Sequence, residues 1–313
     1  MAADRVVAAV DLGGTTMQSA LVRADGSWTN AEQHGTPADR GAGAVLEALL
    51  ELAGGLAEQA VARGLPCHAV GVAVPGLVDE EAGVARYAVN LGWREVPVAR
   101  LLSERTGLPV AVAHDVRAAA QAEHLYGAGR GRRDWLFLAL GTGIAGAMVL
   151  GGEAYGGAHW RGGEIGHAPV DPAGPPCPCG GHGHLEAIAS AGALTRLHRE
   201  RTGEAISAAE LVRRAADGDA VAAALWGDAV AALARAIATC VALLDPELVL
   251  LGGGLAGAGE RLLTPLRQAV AAQLPFTVAP PITTGALGRR AAVVGAGARA
   301  HALLGADALS GPP

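Results

Sequence analysis

One short pattern occurs twice, far apart in the chain. Val6–Val10 is a Val/Ala run that leads into Asp11-Leu12-Gly13-Gly14-Thr15-Thr16, a second apolar run at Ser19–Val22 and a turn at Ala24-Asp25-Gly26. Trp135–Leu140 leads in the same way into Gly141-Thr142-Gly143, then Ile144–Leu150 and a turn at Gly151-Gly152. Both read as strand, glycine-threonine turn, strand. The recurrence implies a duplicated architecture with two related lobes, each opening on a hairpin.

Gly41–Arg63 places Val45, Leu49, Leu52 and Leu56 at helical spacing. Ala69–Val74 reads as a buried strand ending at Pro75-Gly76, and Val98–Arg105 as a short helix. Val110–Ala113 and Glu247–Leu251 read as strands; Val116–Tyr126, Asp219–Leu244 and Ala291–Leu304 read as helices. Strands alternating with helices indicate an α/β fold with covered sheets, and a lobe boundary is expected near Val116–Gly127. The hydrophobic share is 51% but aromatics are only 3%, so the core must be built from small aliphatic side chains. A net charge of −6 with no basic block argues against nucleic acid as a partner. Met1–Val10 lacks the features of a signal peptide, and no uncharged apolar run reaches the ~18 residues of a membrane span. The cysteines are Cys67, Cys177, Cys179 and Cys240. The Cys-x-Cys pair reads better as a metal site than as a disulfide framework, which points to the cytoplasm.

A loop that approaches phosphate needs glycine, because a β-carbon would block the approach. Its amide groups can then point at the anion, with a threonine hydroxyl as a further donor. Both repeated turns meet this description, and Asp11 sits where a carboxylate could hold Mg²⁺ directly or through water. Taken singly, each turn could equally be a tight hairpin. Gly252-Gly253-Gly254 adds a third glycine run at the end of a buried strand, a usual place for a nucleotide. The chain has neither the P-loop pattern nor a Gly-x-Gly-x-x-Gly strand-to-helix turn.

Asp11–Thr15, Leu140–Gly143 and Leu251–Gly254 resemble the two phosphate motifs and the adenosine motif of the actin/hexokinase superfamily. The remaining motifs narrow the resemblance to the ROK family (repressors, open reading frames, kinases) and its glucokinase-like branch, over essentially the whole chain. The resemblance implies a two-lobe, actin-like ATPase (ribonuclease H-like) fold with a cleft between the lobes. Residues 1–117 plus 293–313 would form the small lobe and 118–292 the large one. It further implies a cytoplasmic kinase that transfers the γ-phosphoryl of Mg-ATP to a hexose hydroxyl, the one on carbon 6, and that assembles as a homodimer or homotetramer. Asp11, Gly13, Gly14, Thr15, Thr16, Gly141, Thr142, Gly143, Gly252, Gly253 and Gly254 would hold the nucleotide and Mg²⁺.

Gly71–Gly76 resembles the family's sugar-pocket strand and turn, and Asn90-Leu91-Gly92-Trp93 the segment that follows it. The resemblance makes Asp115 the catalytic base. On the residues alone, a carboxylate at the end of a strand could take the proton of an attacking hydroxyl, or could simply cap the following helix. Glu164-Ile165-Gly166-His167 resembles the family's Glu-x-Gly-His motif. Sugar contacts are thereby expected from Gly76, Asn90, His114, Asp115, Glu164, His167 and Glu186. Cys177-Pro178-Cys179-Gly180-Gly181-His182-Gly183-His184-Leu185-Glu186 fits the family's zinc signature with His184 in place of a third cysteine. Thiolate and imidazole both suit tetrahedral zinc, so His167, Cys177, Cys179 and His184 would hold a structural ion, with His182 a competing ligand. The plain alternative is reduced cysteines and no metal. Cys240 falls on the apolar face of a helix and Cys67 in a loop.

Three departures stand out. The family has asparagine where this chain has His114, and that asparagine binds ring hydroxyls. Imidazole has a different reach and, when neutral, one donor and one acceptor. The sugar is thus open between glucose and an amino sugar of the 3-amino-3-deoxyglucose (kanosamine) type. Ala145 and Ala147 replace glycines after the second phosphate turn, and His184 replaces cysteine. Two other classes remain in view. A sugar-responsive repressor would carry a DNA-binding domain ahead of Asp11, where only ten residues stand. A sugar-binding protein without activity would bind sugar without turnover.

Overall fold

The computed structural model describes residues 5–305. The chain forms two compact units. The first runs to Arg130 and takes in 156–161 and the segment from Arg289 onward; the second comprises 131–155 and 162–288.

In the first unit, β1 (Val6–Leu12), β2 (Thr16–Arg23) and β3 (Trp28–Gly35) form an antiparallel meander. After α1 (Ala42–Ala62), β4 (Cys67–Val74) returns parallel to β1. The strands β5 (Leu77–Asp79), β6 (Val84–Ala88) and β7 (Trp93–Val96) make a separate small antiparallel sheet. Then α2 (Val98–Thr106) leads to β8 (Val110–His114), parallel to β4, and to α3 (Asp115–Tyr126). The main sheet has the order β3-β2-β1-β4-β8.

The second unit repeats this plan. It opens with β9 (Trp135–Leu140), β10 (Ile144–Leu150) and β11 (Glu153–Ala154). The helices α4 (Leu185–Ala189), α5 (Ala191–Thr202), α6 (Ala208–Ala216) and α7 (Ala220–Leu244) follow. Next come β12 (Val249–Gly252), α8 (Glu260–Gln273) and β13 (Ile282–Thr284). The sheet order β11-β10-β9-β12-β13 matches that of the first unit strand for strand, with β9, β12 and β13 parallel. The final helix, α9 (Ala291–Leu303), belongs to the first unit. The duplicated α/β plan expected from the two hairpins is therefore present. The split at 117/118 read from the sequence would cut α3, which stays whole in the first unit because it packs along α9. Residues 1–4 and 306–313 of that sequence-derived lobe lie outside the described residues.

Each unit has its own core. Val10, Leu12, Leu21, Leu49, Val72 and Leu102 are among the side chains that fill the first. Leu138, Leu194, Leu225, Leu233, Ile237 and Leu251 are among those that fill the second. By length and composition alone α7 could cross a membrane. It nevertheless carries Asp228 and Arg235, and its buried Leu225, Ala229, Leu233, Ile237 and Val241 form one stripe into the second core. It packs as a core helix.

With few aromatics, the first unit gains density from close backbone approach. A β-carbon on Gly295 of α9 would strike the Ala118 carbonyl of α3, and one on Gly71 of β4 would strike the Ala296 carbonyl of α9. Gly297 is similarly filled by the Val22 side chain. Gly295→Ala is expected to lower stability by about 1–3 kcal/mol through overpacking. Gly55→Ala on α1, where the new methyl meets nothing, is expected to raise it by about 0.5–1 kcal/mol. Urea denaturation of the two variants checks this contrast; equal effects would show that the close approach is not limiting.

Candidate active site

In open α/β sheets, ligands bind beyond the carboxyl ends of the parallel strands. In the first unit those ends carry Asp11 (β1), the Pro75-Gly76 turn (after β4) and His114-Asp115 (β8 into α3). In the second unit they carry Gly141 (after β9) and Gly252 (β12). Most of the residues singled out from the sequence fall at these strand ends for one topological reason.

The first glycine-threonine turn is closed by Gly13 N–H donating to the Thr16 carbonyl at 2.9 Å. The Thr36 hydroxyl donates to the Gly13 carbonyl at 2.7 Å and braces the turn from β3's far end. Gly14 is packed so closely that a β-carbon there would lie 3.2 Å from the Asn90 β-carbon. Gly76 adopts a φ of +89°, open to glycine and strained for other residues, with the Tyr87 carbonyl where a side chain would go. Gly13, Gly14, Thr15, Thr16, Asn90 and Gly76 thus line one edge of this unit.

Asp11 is half-buried. Burial first, then the neighbouring Asp115 charge, pushes its carboxyl up to about 7. Two acidic groups close enough to repel form a place where a dication would be favourable.

Asp115 is not the N-cap of α3. That position is held by His114, whose Nδ1 accepts the Arg117 backbone N–H at 3.4 Å. Asp115 is the first helical residue, and its Oδ1 accepts the Val116 N–H at 2.7 Å. The capping alternative read from the sequence is filled by the neighbouring residue, which leaves the Asp115 carboxylate part-exposed beside Asp11.

Sequence reading missed the group that fixes this corner. Glu80, directly after β5, is 6% exposed and accepts three donors. These are the His114 backbone N–H at 3.0 Å, Arg117 Nε at 2.6 Å and Arg299 Nη2 at 2.7 Å. Arg117 also donates to the Val78 carbonyl, and its guanidinium lies 5.6 Å from the centre of the Trp160 ring. Within Asp79-Glu80-Glu81, Glu80 looks like part of a solvated turn. The available signal was Arg117, a charge among alanines on an inward helical face.

In the second unit, Gly141 N–H donates to the Gly143 carbonyl at 2.9 Å, closing the Gly141-Thr142-Gly143 turn. The Gly141 carbonyl accepts from Ala191 N–H, tying the turn to the start of α5. Glu186 Oε2 accepts the Ile144 N–H at 2.8 Å, so this carboxylate braces the turn with one oxygen. Gly253 has a φ of +80° and fits against the Leu140 backbone, which brings Gly252-Gly253-Gly254 beside that turn. Ala147, one of the alanines in place of glycine, is buried in β10.

His167, Cys177, Cys179 and His184 come together, with one ligand atom of each within 4.8 Å of all the others. Cys177 Sγ lies 3.8 Å from His167 Nδ1, and Cys179 Sγ lies 3.1 Å from His184 Nδ1. These spacings bracket the ~3.5 Å between ligands of a tetrahedral zinc with bonds of 2.0–2.3 Å. Burial, together with the adjacent Cys179 and the Glu186 charge, pushes the Cys177 thiol up, as expected of a donor set that a dication would neutralise. His182, the competing ligand, is not among these four; its backbone forms a bridge to Pro176 across the loop. His167 Nε2 points toward Glu164, 3.9 Å away. Cys240 packs partly buried against the core, and Cys67 is the first residue of β4 rather than a loop residue.

The raised Asp11 pKa has a measurable consequence. Between the ordinary carboxylate range and about 7, the folded chain holds a proton that the unfolded chain releases, so this group's contribution falls as pH rises through that window. Asp11→Asn removes the dependence. The variant is expected to gain about 2 kcal/mol relative to the parent between pH 5 and pH 8 without Mg²⁺. Parallel melting curves at both pH values check this; a pH-independent difference would place the Asp11 carboxyl in an ordinary environment.

Residues 7–302 match the ROK family. A glucokinase of Thermotoga maritima is 37% identical over 276 residues, covering 83% of this chain and 86% of that protein. The crystal structure of a ROK hexokinase from Thermus thermophilus superposes with a TM-score of 0.83 at 36% identity, covering 96% of this chain and 99% of that one. A ROK family glucokinase from Streptomyces griseus, solved in complex with glucose and AMPPNP, superposes with a TM-score of 0.82 at 29% identity, covering 94% and 99%. With the same sheet order in both units and these relatives along nearly its full length, the chain has the two-lobe actin-like ATPase fold and belongs to the ROK family.

Proposed function

We infer that the protein is an ATP-dependent, glucokinase-like sugar kinase that transfers the γ-phosphoryl group to a hexose hydroxyl, the one on carbon 6. The observation that carries this reading is the carboxylate of Asp115. It stands at the end of β8, relieved of the helix cap by His114 and adjacent to Asp11. A base so placed takes the proton from the sugar hydroxyl as that oxygen attacks the γ-phosphorus; the bond to the bridging oxygen breaks and ADP leaves.

In the first unit, Gly13, Gly14, Thr15 and Thr16 offer backbone and hydroxyl donors to phosphate oxygens. Gly141, Thr142 and Gly143 do so in the second unit, and Gly252, Gly253 and Gly254 take the adenosine. Asp11 would hold Mg²⁺, which supplies charge neutralisation on the phosphates. Gly76, Asn90, Glu164, His167 and Glu186 are assigned to the sugar. His167, Cys177, Cys179 and His184 would hold zinc in a structural role, folding the 176–184 loop and fixing the His167 ring. A cytoplasmic homodimer or homotetramer fits the family resemblance.

His114, in place of the family's asparagine, keeps an amino sugar in view. The deciding assay is ADP release with Mg-ATP across glucose, mannose, N-acetylated sugars, glucosamine and 3-amino-3-deoxyglucose. Glucose as the preferred acceptor supports the glucokinase reading. Preference for an amino sugar moves the protein to that class, and sugar binding without ADP release leaves a sugar sensor.

Asp115→Asn is expected to lower kcat by about 10²–10⁴-fold while glucose still binds by calorimetry. Turnover within tenfold of the parent would remove Asp115 as the base. Cys177→Ser is expected to reduce metal content well below the about one zinc per chain of the parent, with weaker glucose affinity, whereas His182→Ala should keep the ion. Unchanged zinc in Cys177→Ser, measured by atomic emission, would refute the ligand set.

A further inference from the structure

We propose that His114 is a positioning residue that aims the Asp115 carboxylate, rather than a ligand of the sugar ring; this assignment rests on the sugar-kinase reading. His114 is 5% exposed, and its contacts include three to this corner. Its backbone N–H donates to Glu80 Oε1 at 3.0 Å. Its Nδ1 accepts the Arg117 N–H at 3.4 Å, the cap of α3. Its Nε2 lies 3.4 Å from Asp115 Oδ1.

The cap decides the tautomer. A neutral imidazole that accepts at Nδ1 carries its proton on Nε2, and that N–H is the one facing Asp115. Asp115 Oδ1 accepts the Val116 N–H and lies 3.4 Å from His114 Nε2. Its other oxygen, Oδ2, is left to receive the proton of the sugar hydroxyl. One hydrogen bond and a neighbouring ring nitrogen on the same oxygen restrict the plane of the carboxylate, which sets the direction from which a hydroxyl approaches. Behind this pair, Glu80 is held in turn by the buried Arg117 and the more exposed Arg299, so the His114 backbone is anchored by an ionic cluster.

Two substitutions separate the two ring nitrogens. The amide of asparagine reaches where Nδ1 stands, so His114→Asn keeps the cap and loses the contact to Asp115. The longer glutamine places its amide nitrogen near Nε2, so His114→Gln keeps that contact and loses the cap. Steady-state kinetics with Mg-ATP are measured for the parent and both variants on glucose, 3-deoxyglucose and 4-deoxyglucose.

For a positioning role, His114→Asn loses about 10- to 100-fold in kcat, with KM for glucose within about threefold and the same loss on both deoxy sugars. His114→Gln recovers kcat to within about fivefold of the parent, while its Tm falls by a few degrees from the lost cap. A sugar ligand gives a different result. KM for glucose then rises tenfold or more in His114→Asn with kcat kept, and the penalty disappears on one of the deoxy sugars. That outcome overturns the proposal, as does His114→Gln being the slower variant. A parent protein that turns over no sugar overturns the kinase reading instead. The pairing itself is then tested by ¹⁵N spectra of the histidine rings, with the His114 signals assigned by their loss in the variants. A proton on Nε2 whose signal moves in Asp115→Asn is expected, and a proton on Nδ1 refutes the pairing.

Discussion

The first unit depends on how closely one helix can lie on its sheet. The chain has few aromatic side chains to fill space, so its density comes from backbone packed on backbone, with glycine where the two meet. Gly71, Gly295 and Gly297 set the height of α9 above β1, β2 and β4, and α3 is in turn seated on α9. The carboxyl end of β8 and the first turn of α3, where His114 and Asp115 stand, take their position from this stack. A methyl group well away from this corner can therefore displace the Asp115 carboxylate.

Much of this was legible in the sequence, and the limits are physical. The two glycine-threonine turns announced the duplication because each needs glycine to close and is flanked by runs that must be buried. The strands β1, β4, β8, β9 and β12 are apolar along most of their length, as parallel strands covered on both faces must be. By contrast, β3 is Trp28–Gly35, largely exposed and polar, and is held as an edge strand by its pairing to β2. No periodicity marks such a strand, and the small sheet β5-β6-β7 was unreadable for the same reason. Among the candidate site residues, Asp11, His114, Asp115 and the Cys/His cluster were visible as residue types at strand ends or in a glycine-rich loop. Glu80 and Arg299 were not, because they lie 219 positions apart and nothing local ties one to the other.

The helix cap at β8 shows how a one-residue offset alters chemistry. Histidine and aspartate stand side by side, and either could satisfy the free amide groups of the first turn. Because imidazole takes that duty, the carboxylate keeps an oxygen for other use. The cost falls on Asp11, whose charge is disfavoured by burial and by its neighbour until a cation is present. In the second unit, Glu186 braces the Gly141-Thr142-Gly143 turn through one oxygen.

The order of elements along the chain has a consequence for synthesis on the ribosome. The sheet of the first unit is complete once β8 has emerged, yet the helix that covers it, α9, begins at Ala291. At the ~5–20 residues per second of translation, the stretch from Tyr126 to Ala291 takes roughly 10–30 s. During that interval Val22, Gly71 and the Ala118 face of α3 lack their partner, while the second unit can already close around α7. The first unit is thus begun first and finished last, with part of its core uncovered in the meantime.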